Sequence, residues 1–60
     1  MVNLTQVELS SIREVASNHL SVASKLDDYA NKCTDPQIKN MFSTSAQGAR
    51  TSAQKLIDML

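Results

Sequence analysis

Apolar residues in the first half of the chain recur in alternating steps of three and four. Leu9, Ile12, Ala16, Ala23, Leu26, Ala30 and Cys33 share one stripe, with His19 as its polar member. That is the spacing of a heptad seam on an α-helix. The second half repeats the pattern with Ile38, Phe42, Ala46, Ala49, Ala53, Leu56 and Leu60. Between the stripes lies Cys33-Thr34-Asp35-Pro36. Pro36 lacks an amide hydrogen and disfavours helix at the residue before it. Asp35 as N-cap with Pro36 in the first helical position is a restart signal. The first helix has its own start in Thr5 and Glu8, spaced as a capping box, with Leu4 and Leu9 spaced as a hydrophobic staple. The pattern predicts one domain over residues 1–60, all-α, with helices from about Gln6 to Lys32 and from about Pro36 to Met59. A connection this short makes them an antiparallel hairpin.

Folding the chain at Thr34 lays the stripes opposite one another. Ala30 then meets Ile38, Leu26 meets Phe42, Ala23 meets Ala46, and His19 meets Ala49. Ala16 meets Ala53, Ile12 meets Leu56, and Leu9 meets Leu60. Apart from His19, these residues are the expected hairpin core, large at both ends and narrow at an alanine waist. Gly48 costs about 1 kcal/mol of helix propensity against Ala. Either close packing keeps it or it is a tolerated defect. Val15, Leu20, Val22 and Tyr29 flank the first seam, and Met41, Ile57 and Met59 the second. A two-helix hairpin has no third layer to cover them. Two copies side by side make a four-helix bundle with one shared core. The expected partner is therefore a second copy, with Val15, His19, Leu20, Val22 and Ile57 at the homodimer interface. Scattered surface hydrophobics would be the plainer account, since many proteins carry them.

Composition narrows the function classes. With 60 residues the chain is too short to bury much apolar surface alone. Its single cysteine excludes an intrachain disulfide, which leaves oligomerisation as the usual remedy for a small core. Six basic and six acidic side chains balance, so no field draws nucleic acid or an anionic membrane. No apolar run reaches the roughly 20 residues of a membrane span. Met1-Val2-Asn3-Leu4-Thr5 does not read as the start of a signal peptide, so a cytoplasmic location is expected.

Few residues offer chemistry. His19 lies on a seam, but no carboxylate or second histidine joins it there. Glu8 and Asp35 sit in caps, Glu14 and Asp28 on the outer face, Asp27 beside the seam and Asp58 near the end. A di-iron bundle requires several inward carboxylates and Glu-x-x-His motifs, so no metal or cofactor is expected. His19 is expected to make a polar contact across the dimer or to lie at its margin. Cys33 reads as a small apolar seam residue, since Lys32 points about 100° away. Cys33 and His19 are about 20 Å apart along one helix, too far to act together within one chain. The pairs Asp28–Lys32 and Asp35–Lys39 have i,i+4 spacing. No catalytic residue emerges, and the chain is not expected to be an enzyme.

The chain resembles the spore coat protein F family of Gram-positive endospore formers, small domains related to the ferritin-like helical proteins. The resemblance rests on Asn3-Leu4-Thr5-Gln6-x-Glu8-Leu9 and on Leu56-Ile57-x-x-Leu60. It rests above all on Tyr29-Ala30-x-x-Cys33-Thr34-Asp35-Pro36-x-Ile38-Lys39-x-Met41-Phe42 around the turn. It implies a structural, coat-associated protein of a sporulating bacterium, in the spore coat and in contact with other coat proteins. Where that family often carries a His-x-x-His pair before its final leucines, this chain has Ala49 and Ser52. Metal chemistry is therefore not implied. Two functions stand: a non-catalytic structural or assembly protein of coat type, and a regulatory module that docks its helical groove on a different protein.

Overall fold

The computed structural model describes residues 3–60. The chain is an antiparallel hairpin of two α-helices, α1 (Gln6–Lys32) and α2 (Pro36–Ile57). Each start is set by the local chemistry that the sequence announced. Thr5 Oγ1 accepts from the Glu8 amide at 3.1 Å, and Glu8 Oε1 accepts from the Thr5 amide at 3.0 Å. Two amides left without partners by the first turn are thereby satisfied. Leu4 and Leu9 are both half-buried at that end. Asp35 Oδ1 accepts from the Gln37 amide at 2.8 Å and from the Ile38 amide at 3.4 Å. Pro36 follows where its missing amide hydrogen costs nothing.

The end of α1 at Lys32 is the expected one, and that of α2 is not. α1 stops at Cys33, whose backbone turns extended (φ −79°, ψ 137°) while its N–H still reaches Ala30 O at 3.2 Å. α2 ends at Ile57, two residues short of the expected Met59. The last turn tightens into i→i+3 bonds, from the Met59 amide to Leu56 O at 3.1 Å and from the Leu60 amide to Ile57 O at 2.9 Å. Gln54 Nε2 donates to Asp58 Oδ1 at 2.8 Å across the same turn.

Among the described residues, only alanine is buried. Ala16, Ala23 and Ala30 on α1, and Ala46 and Ala53 on α2, are the core, each recurring at the seventh residue. A side chain that ends at Cβ lets two helix backbones approach closely, because the side chains at the contact set the interaxial distance. The larger seam residues Leu9, Ile12, Leu26, Phe42 and Leu56 are half-buried, as are His19, Cys33 and Ala49. Two expected core residues are not in the core. Ile38 is 46% and Leu60 47% exposed. Ile38 stands one position before the seventh-residue line that runs back from Ala46, so it flanks the seam. Leu60 lies beyond the last helical turn.

The result is a rod of 46 × 15 × 9 Å with a radius of gyration of 14.2 Å. A globule of this length would have about 10 Å. Among the described residues, no helix is long and apolar enough to cross a membrane.

Candidate functional site

Two contacts fix how the flanking residues divide. Arg50 Nη2 donates to Asp27 Oδ2, the one salt bridge among the described residues. Leu20 lies seven residues before Asp27, and Ile57 seven after Arg50. Residues seven apart share a helix stripe, so Leu20, Asp27, Arg50 and Ile57 form one edge of the hairpin. On the other side, the rings of Tyr29 and Phe42 meet at 5.8 Å between centroids, tilted by 54°. Val22 and Val15 precede Tyr29 at seven-residue steps. They form a second edge, which α2 continues with Ile38, Ser45 and Ser52 on its own seven-residue stripe.

The five expected interface residues therefore do not make one surface. Val15, Leu20, Val22 and Ile57 are all exposed, and His19 is half-buried. Leu20 points about 200° round the helix from Val22 and about 140° from Val15. Val15, His19 and Val22 belong to the second edge, while Leu20 and Ile57 belong to the edge with the ion pair. Sequence reading missed this split because all four apolar residues flank the seam and none of them reveals its side. The signal was present in the numbers, since positions two apart never share a helix face.

The ion pair was also missed. With Ala23 level with Ala46, Arg50 stands level with about His19, some 12 Å from Asp27 along the rod. In α-helices long side chains lean toward the N-terminus of their own helix. In antiparallel neighbours the two lean toward each other, and the long arginine closes the gap. The expected pairs Asp28–Lys32 and Asp35–Lys39 are absent from the salt bridges among the described residues, and Asp35 is engaged in its cap.

On the second edge the surface dips. Asn18, His19 and Val22 line an open hollow of about 210 Å³. His19 Nδ1 lies 2.8 Å from Val15 O. A carbonyl oxygen only accepts, so the ring carries its proton on Nδ1 and a neutral imidazole presents Nε2 as an acceptor. The partner that His19 was expected to seek on another chain is, for one of its nitrogens, its own helix backbone. Its place at the margin of the seam agrees with its half-burial.

Other groups gather no chemistry. Among the described residues, no three His, Cys, Asp or Glu side chains converge. Cys33 is free and half-buried. Glu8 is held below its ordinary 4.5 by the Thr5 amide and then by the Thr5 hydroxyl, which both favour the carboxylate. Gly48 has open space where a Cβ would stand, so packing within the hairpin does not account for it.

Compared with known proteins, the chain matches no family model, and no curated protein and no solved structure shows significant similarity to it.

Proposed function

We propose that this protein is a non-catalytic structural module, of spore coat type, that assembles by pairing its apolar face with a second copy to give a four-helix bundle. The observation that carries the reading is a core made of alanine alone, with every larger apolar side chain among the described residues still partly in water. The hairpin exposes 4662 Å². A compact monomer of 6.6 kDa would expose about 3,900 Å². The excess of about 800 Å² is surface that a two-helix rod leaves in water and a globule would bury. Burying the exposed apolar groups is the available source of stability, since alanine side chains supply little hydrophobic free energy.

A structural role also fits the dispersed titratable groups. His19 and Cys33 stand fourteen residues apart on α1, about 20 Å along the axis. The coat assignment follows from the resemblance around the Asp35-Pro36 turn and is a separate question from the pairing. Sedimentation equilibrium at micromolar concentration tests the pairing, and a mass twice that of the chain is expected. A folded, stable monomer would overturn it. Detection of the protein in coat extracts of purified spores tests the location, and expression confined to vegetative growth would count against it.

A further inference from the structure

We draw no further inference here: the strongest candidate, the exposed apolar edge of the hairpin at Val15, Val22 and Tyr29 with the open dip beside His19, carries nothing because nothing in the structure shows what covers it.

Discussion

One edge of the hairpin holds Leu20, Asp27, Arg50 and Ile57, and there a charged pair joins the helices. The opposite edge sets Val15, Val22 and Tyr29 beside Ile38, with a hollow at its middle and no ion pair among the described residues. The difference separates register from stability. Asp27 and Arg50 keep 44% and 46% of their side chains in water, and such pairs contribute about 0.2–1 kcal/mol. Complete burial of one Val, Leu or Ile is worth roughly 1.5–3 kcal/mol. Several such residues are still about half-exposed on the open edge. The charged edge ties the helices together, and the open edge leaves more apolar side chains in water.

The sharpest way to break this comparison is to place one charge on each edge. Val22→Asp should abolish the dimer and cooperative thermal unfolding together, because the monomer has too little core to stand alone. Leu20→Asp should keep the dimer mass and lower the melting temperature slightly. Sedimentation and circular dichroism on both variants decide the matter, and a larger loss from Leu20→Asp would move the interface to the charged edge. Next in size is the seam that both edges share. Ala46→Leu forces apart helices that touch through alanine. It should cost about 1–3 kcal/mol, seen as a melting temperature lower by roughly 4–8 °C per kcal/mol. An unchanged melting curve would mean that the helices are not in close contact at Ala46.

Gly48→Ala then probes the outer face of α2, where an added Cβ meets nothing within 4 Å. The variant should gain about 1 kcal/mol from helix propensity. No gain would show that another surface packs against that position. On the charged edge, Arg50→Met should lose about 0.2–1 kcal/mol, and the loss should shrink in high salt as screening removes the pair in the parent protein. A loss independent of salt would show that the Arg50 stem, not its charge, is what matters. The smallest effect is at the far end. Because folding lowers the Glu8 pKa, its carboxylate adds stability above the ordinary 4.5, and this is lost as pH falls through the depressed value. Glu8→Gln should keep the capping box and flatten that part of the acid melting profile. A profile that keeps its slope would place the acid sensitivity in another carboxylate.

Both helices, their starts and the break between them were legible from a few adjacent residues. Thr5 with Glu8 and Asp35 with Pro36 act within one turn, so their effect is written in local order along the chain. The seven-residue recurrence of alanine was equally plain, and Ala16, Ala23, Ala30, Ala46 and Ala53 are the buried residues. The end of α2 was less so, because fraying to i→i+3 bonds after Ile57 depends on having no further turn to pack against. Ile38 leaves the core because it stands one position off the seven-residue line through Ala46, and Leu60 because it lies beyond the last helical turn.

What the sequence by itself determined is therefore the all-α hairpin, its polarity and its alanine seam, since capping, proline and periodicity operate through bonds between near neighbours. Only the tertiary structure decided which side of the seam each flanking residue takes. The partner helix defines what counts as a side, and a shift of two positions turns a side chain by about 200°. Leu20 and Val22 look alike in the sequence and lie on opposite edges in the fold. Asp27 and Arg50, twenty-three residues apart, become partners only when antiparallel packing turns their opposite leans toward one another.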